Sequence, residues 1–337
     1  MIPSLRVRRF LAVAGALFLL TSSLRAQQAM PRAGAAKTIA LSFDDLPVST
    51  IGQDPSPAAQ QRAQEITTKI LATLKKHGAP AIGFVNEQKL NTPGARDART
   101  SLLENWLRAG MLLGNHGYSH LAFGEVSLAD YEDDFLRGDV ITPLLVRMHS
   151  PKDAPGPRYY YRYPYNDTGD TAAKKQAFLA FLTSHHYAIA PMTFENDDWM
   201  YSALYESAAK SGDQTAMERL RAAYMEESER KIARMEQLSQ DSFGRQIAEI
   251  ADLHVNQMNA DALDDLLTLF EHHGYRFARF DEALADPAYR TRDEYVGSAG
   301  ISWLYRWQSA LGRKTDFRGE PYPPQWVQDA YKKLIAK

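Results

Sequence analysis

Apolar and polar positions along the chain alternate between two periods. Short apolar runs of strand character recur at Thr38–Phe43, Pro80–Val85, Met111–Gly114, Arg158–Pro164 (rich in tyrosine), Tyr187–Phe194, Glu249–Val255 and Tyr275–Phe280. Between them apolar positions return every three to four residues, as a helix burying one face requires. Residues 56–78 place Ile66, Ile70, Leu71 and Leu74 on one such face, behind a Ser56 cap and ahead of a Gly78 stop. Thr100–Gly110, the stretch from about Ser127 to Met148, Asp170–His186 with Asp170 as cap, and Asn259–Gly274 with Asn259 as cap read the same way. Residues 200–248 are helical and densely charged. Seven strands separated by helices imply parallel strands with helices packed outside, as a barrel or a doubly wound sheet.

The first residues break this pattern. Arg6, Arg8 and Arg9 precede the uncharged run Phe10–Leu20, and small residues follow up to Ala26. A basic start, a short apolar middle and a small-residue end are the three parts of a secretory signal. The apolar run is about half of the roughly 20 residues a spanning helix needs. The expectation is a signal peptide at 1–26, a loose mature N-terminus at 27–36, and a secreted or periplasmic protein with no membrane span after signal removal. The main domain is read as 37–285, including the helical insertion 200–248. Charged helical faces are usually solvated, so that insertion is expected as a solvated outer layer. A C-terminal extension, 286–337, carries Trp303, Trp307 and Trp326 and is expected to pack on the domain.

Composition narrows the chemistry. The chain of 337 residues has no cysteine, so disulfides, iron–sulfur clusters, thiolate zinc sites and a cysteine nucleophile are excluded. Any metal must be held by His, Asp or Glu. A formal charge of −2 gives no electrostatic reason to expect nucleic acid.

Reactive residues fall at strand ends. Asp44 and Asp45 follow the first strand, His116 the third, Arg162 the aromatic run, Asp197-Asp198-Trp199 the fifth, and His254 closes the sixth. In parallel α/β folds these C-terminal strand ends share one rim, where sites are built. His116 and His120 are spaced so that two imidazoles face one way across a helical turn, as metal ligation needs. With Asp45 they make an open three-ligand set suited to Zn²⁺ or a similar divalent ion. Side chains of adjacent Asp44 and Asp45 would diverge on an extended strand, but past its end both can turn to the mouth, one to bind metal and one to act as base. Arg162 could pair with Asp44, and Asp198 could hold one nitrogen of His254 and make that ring a proton donor.

In order, Ser42–Asp45, His116–His120, Arg162-Tyr163-Pro164-Tyr165, Glu195–Trp199 and Leu253-His254 resemble the motifs of the polysaccharide deacetylase family, also called carbohydrate esterase family 4 or the NodB homology domain. The resemblance implies a distorted (β/α) barrel of about seven parallel strands, with the helical insertion and the C-terminal helical tail added. It implies one divalent metal ion, Zn²⁺ or else Co²⁺ or Ni²⁺, held by Asp45, His116 and His120. Asp44 would be the base, tethered by Arg162, and His254 the acid, tuned by Asp198. The Tyr165 backbone N–H would stabilise the oxyanion, while Trp199 and Leu253 would contact substrate. The implied activity is removal of N-acetyl or O-acetyl groups from a polysaccharide or oligosaccharide such as chitin-type oligomers, peptidoglycan or xylan. The alternatives are hydrolysis of non-sugar C–N bonds on the same fold and a non-catalytic carbohydrate-binding homologue. The sequence departs from the family pattern at Leu46, Gly117, Glu195 and Asp252, the last standing where an apolar residue is usual beside the acyl group.

Overall fold

The computed structural model describes residues 37–150 and 159–336, so the expected signal peptide 1–26, the segment 27–36 and Arg158 lie outside the described residues. In chain order the elements are β1 (Lys37–Leu46), α1 (Pro57–Lys76), β2 (Ala81–Val85), α2 (Arg96–Arg108), β3 (Leu112–Asn115), α3 (Leu128–Arg137), α4 (Ile141–His149), β4 (Tyr159–Tyr161), α5 (Ala172–Ser184) and β5 (Tyr187–Ile189). There follow α6 (Asp198–Ser211), α7 (Gln214–Phe243), β6 (Ala248–His254), α8 (Gln257–His272), β7 (Tyr275–Phe277), α9 (Phe280–Leu284), α10 (Trp303–Arg306) and α11 (Gln325–Ile335).

All seven strands are parallel in one sheet of order β5-β4-β3-β2-β1-β6, with β7 beside the start of β1. Past β5 the chain runs on to β6: Phe194 pairs with Ala251, the Thr193 amide donates to the Ile250 carbonyl at 2.8 Å, and the Asp252 amide to the Phe194 carbonyl at 2.9 Å. This seam brings the two edges of the sheet together, as the distorted barrel read from the sequence requires.

Strand alternation divides the residues between two cores. Ala40, Ile82, Phe84, Tyr160 and Ile250 point inward and are closed off by Phe280 and Ala283 of α9. Ile39, Leu41, Phe43, Ala251 and Leu253 point outward, against Ile66, Ile70 and Leu74 of α1 and Leu263 and Leu266 of α8. Each such buried Ile, Leu or Phe side chain is worth about 1.5–3 kcal/mol. The register Ser42–Asp252, Phe43–Leu253, Asp44–His254 then fixes which residues of β1 and β6 enter the barrel.

Several elements differ from their sequence reading. The β1 strand runs past Phe43 to Leu46, carrying both aspartates with it. The stretch 127–148 is two helices, broken after Gly138 caps α3. Thr171 rather than Asp170 caps α5, and Asn256 rather than Asn259 caps α8, because these residues place a side-chain oxygen on the third following amide. The 200–248 block is more than a solvated layer: α7 buries Leu220, Tyr224, Glu227, Ile232 and Met235. In the C-terminal segment Trp303 and Trp307 are buried.

Gly114 lies on the inner face of β3. A Cβ there would stand 2.6 Å from the Phe84 ring and 2.9 Å from the Tyr160 carbonyl oxygen, which cannot rotate away. Gly114→Ala should therefore destabilise the fold by about 1–3 kcal/mol, measured by urea unfolding; unchanged stability would show that β3 and β4 are less tightly apposed than described.

Candidate active site

Two adjacent carboxylates reach one rim because the backbone turns between them. Pairing of β1 with β2 is in register up to Phe43 and resumes, shifted, at Leu46. Within this bulge Asp45 takes a left-handed φ of 69°. Asp44 keeps its inward direction opposite His254, while Asp45 swings its carboxylate to the side of β3.

There Asp45, His116 and His120 bring one ligand atom each within 4.8 Å of one another. The two histidines do not share a helical turn. Residues 116–120 form a loop held from below by Asp134 of α3, whose carboxylate accepts from the Tyr118 amide at 2.9 Å and the Ser119 amide at 3.0 Å. Gly117 takes a φ of 74°, and a side chain there would meet Asp134 Oδ2 at 2.7 Å, so this departure from the family pattern has a steric cause. His120 is itself left-handed, at φ 61°, which brings its ring to 4.9 Å from that of His116.

The donor set fits a divalent ion. His116 Nδ1 donates to the Arg162 carbonyl at 2.9 Å, which leaves the Nε2 lone pair free to ligate. Burial, helped by the ring of His120, holds His116 well below its ordinary range, and burial likewise lowers His120, so both rings are neutral. Burial would raise Asp45, but nearby basic groups, the ammonium of Lys89 first among them, outweigh it and hold that carboxyl far below the usual range. Lys89 Nζ reaches Asp45 Oδ1 at 3.1 Å and its carbonyl at 3.0 Å. The sequence reading missed Lys89, although it follows the end of β2 and so meets the same strand-end criterion.

Asp44 is buried, with Oδ2 at 3.5 Å from His116 Nε2. Its expected pairing with Arg162 is loose, at 3.8 Å. The guanidinium instead sits 2.8 Å from Asp252 Oδ2 and donates to Ser42 Oγ at 2.8 Å. The reason is register: Asp252 lies two residues before His254 on the same inner face, level with Ser42. Burial and the Asp252 carboxylate together push Asp44 well above the ordinary carboxylate range, against the pull of Arg162 and His254. A carboxylate so raised is a better proton acceptor.

His254 stands across the mouth from the histidine pair, with its ring 22% exposed. Its Nδ1 lies 2.6 Å from Asp198 Oδ1, and its amide donates to Asp198 Oδ2 at 2.7 Å. Asn259, displaced from its expected capping role, donates to Asp198 as well, and accepts from Tyr224 of α7 at 2.7 Å. The helical insertion thus reaches the site through Tyr224, Asn259 and Asp198. Burial disfavours the charged ring, but the Asp198 carboxylate overrides it and pushes His254 up to about 10.

Of the residues expected to contact substrate, Tyr165 and Trp199 are exposed, at 59% and 42%. Tyr165 is left-handed, with φ 56°, and its ring lies 4.3 Å from that of His120. The Trp199 ring lies 5.2 Å from that of Tyr331 in α11. Leu253 is corrected: it pairs with Phe43 on the outward face, is fully buried among the helices, and cannot meet a ligand in the mouth. Alternation places it opposite its neighbours Asp252 and His254.

Residues 32–182 match the family model described as Polysaccharide deacetylase. That stretch holds Asp44, Asp45, His116, His120, Arg162 and Tyr165, whereas Asp198, Trp199 and His254 lie beyond it. Over this segment, somewhat less than half of its length, the chain is similar to the polysaccharide deacetylases. No curated protein matches it. Among similar solved structures are a carbohydrate esterase family 4 pseudoenzyme from Bacillus anthracis (16% identity, covering 74% of this chain and 66% of that one, TM-score 0.46) and a family 4 carbohydrate esterase from Streptomyces lividans (18%, 72% and 93%, TM-score 0.43). The peptidoglycan deacetylase PdaC from Bacillus subtilis is similar at 19% identity, covering 74% of this chain and 91% of its own (TM-score 0.43).

The Asp198–His254 pair carries a pH signature. An unfolded histidine titrates near 6.5, whereas folded His254 is raised to about 10. Its contribution to stability is therefore complete below about pH 6.5 and is lost as pH rises through about 10. Urea unfolding of wild type and Asp198→Asn at pH 6 and pH 10.5 should show the wild-type advantage shrinking at the higher pH. An advantage that is equal at both pH values contradicts the pairing.

Proposed function

We propose that the protein is an exported, metal-dependent deacetylase that hydrolyses N-acetyl or O-acetyl groups of a polysaccharide or oligosaccharide. One observation carries this reading: Asp45, His116 and His120 converge beside Asp44, with the Asp198-bound His254 facing them across one mouth. The basic and apolar leader read in residues 1–26 supports export. Among the described residues no helix is long and apolar enough to cross a membrane. The exposed rings of Tyr165 and Trp199 offer surfaces for the apolar faces of sugar rings.

A divalent ion on Asp45, His116 and His120, with Zn²⁺ the best match to two imidazoles and one carboxylate, would polarise an acyl carbonyl and acidify a water molecule. The chain's own residues complete the reaction. Asp44 accepts the proton of the attacking water as the new C–O bond forms. The Tyr165 backbone N–H would donate to the oxygen on which negative charge develops. His254 Nε2 delivers its proton to the leaving nitrogen or oxygen as the acyl bond breaks, and Asp198 keeps Nδ1 protonated and steadies the ring. Acetate and the free amine or hydroxyl are the products, and no covalent enzyme intermediate is needed.

The test is acetate release from chitin oligomers, peptidoglycan fragments and acetylated xylan, with and without metal. Release should stop with a chelator and return with Zn²⁺, Co²⁺ or Ni²⁺. Asp44→Asn should lower turnover by at least about 100-fold while retaining metal. Undiminished release from that variant would remove Asp44 as the base, and no release from any substrate would overturn the deacetylase reading.

A further inference from the structure

Beneath the mouth, Asp252 gathers two parts of the site that the chain otherwise leaves apart. It is 5% exposed and lies on the inner face of β6. Its Oδ2 faces Arg162 Nη1 at 2.8 Å and accepts from Asn166 Nδ2 at 3.0 Å. Arg162 in turn carries the carbonyl that fixes the His116 tautomer, at 2.9 Å. Asn166 ends a turn in which two successive residues, Tyr165 and Asn166, are left-handed, at φ 56° and 51°. Asparagine tolerates this conformation, but tyrosine does not, so Tyr165 needs support from its surroundings.

Backbone bonds give part of that support, among them that from the Asp167 amide to the Pro164 carbonyl at 3.1 Å. The Asn166 amide donates to the Tyr163 carbonyl at 2.9 Å, and the Asn166 carbonyl accepts from Arg306 Nη2 at 2.6 Å. The side-chain amide is tethered by the Asp252 carboxylate, and among the described residues Asn166 Oδ1 has no hydrogen-bond partner. A leucine or alanine at position 252 would leave the guanidinium without this counter-charge and the amide without this acceptor.

We infer that Asp252 is a positioning residue: its single carboxylate oxygen ties the left-handed Tyr165–Asn166 turn to the Arg162 guanidinium, and so sets where the Tyr165 N–H and ring stand relative to His120. The inference rests on the deacetylase reading only for its kinetic consequence. The tether itself is a structural statement and has its own readout. In this role Asp252 acts through Arg162 and Asn166, apart from the effect of its charge on Asp44.

The experiment compares full-length wild type, Asp252→Ala, Asn166→Ala, the double variant and Asp252→Asn, each loaded with Zn²⁺. Hydrogen exchange of the peptide spanning residues 163–167 should speed up by about tenfold or more in both alanine variants. With a substrate that wild type deacetylates, kcat should fall by about 100-fold with KM nearly unchanged, as a displaced oxyanion donor requires. The double variant should be no worse than the worse single variant, since both cut the same tether. Asp252→Asn keeps an acceptor oxygen and should recover at least about tenfold of the lost kcat. Asn166→Ala leaves the Asp252–Arg162 ion pair intact, so it decides the matter if Asp252→Ala does not fold. Unchanged exchange at 163–167 in the alanine variants, or losses that multiply in the double variant, would overturn the inference. If wild type releases no acetate, the deacetylase reading fails and the exchange result alone decides the tether.

Discussion

An extended strand sends neighbouring side chains to opposite faces, and everything in this site depends on that rule being broken once. At Asp45 the backbone turns left-handed within a bulge, and Asp44 and Asp45 come to serve the same mouth. Elsewhere the alternation is obeyed. It sends Asp44, Asp252 and His254 into the barrel and Phe43 and Leu253 out to the helices. The proposed base and metal ligand thus come from consecutive residues, while the proposed acid arrives from a strand more than two hundred residues away.

Collecting so many charged groups in a dry interior is costly unless each is paired. The pairing here is layered. Nearest the barrel core, Asp252 and Ser42 occupy Arg162. Above them Asp44 is left loosely held, which suits its proposed role as base. At the rim Asp45 is matched by Lys89, and His254 by Asp198. The supports lie further out: Asp134 under the histidine loop, and Tyr224 and Asn259 behind Asp198. Through that last contact the helical insertion becomes part of the site's foundation.

Much of this was legible in the sequence, because strand ends of a parallel sheet share one rim and apolar runs mark the strands. Asp44, Asp45, His116, Arg162 and His254 were placed by that rule, and they do meet. What escaped depends on contacts between distant segments. The i, i+4 spacing of His116 and His120 pointed to a helix, but a loop braced by Asp134 delivers the same proximity. Leu253 was drawn into the site by its neighbour, against its own alternation. Arg162 was assigned to Asp44 because no local pattern shows that Asp252, level with Ser42 across the pair of strands, stands closer. Lys89 lies on a short 3-10 turn whose approach to Asp45 only the folded chain reveals.

Whether Asp45, His116 and His120 act together as ligands is tested most directly by X-ray absorption at the zinc edge on the full-length protein loaded with one equivalent of Zn²⁺. Two imidazole nitrogens at about 2.0–2.1 Å and carboxylate oxygen at about 2.0–2.2 Å are predicted, with one imidazole lost in His120→Ala. A shell of oxygen ligands alone, or one unchanged in His120→Ala, would contradict the assignment.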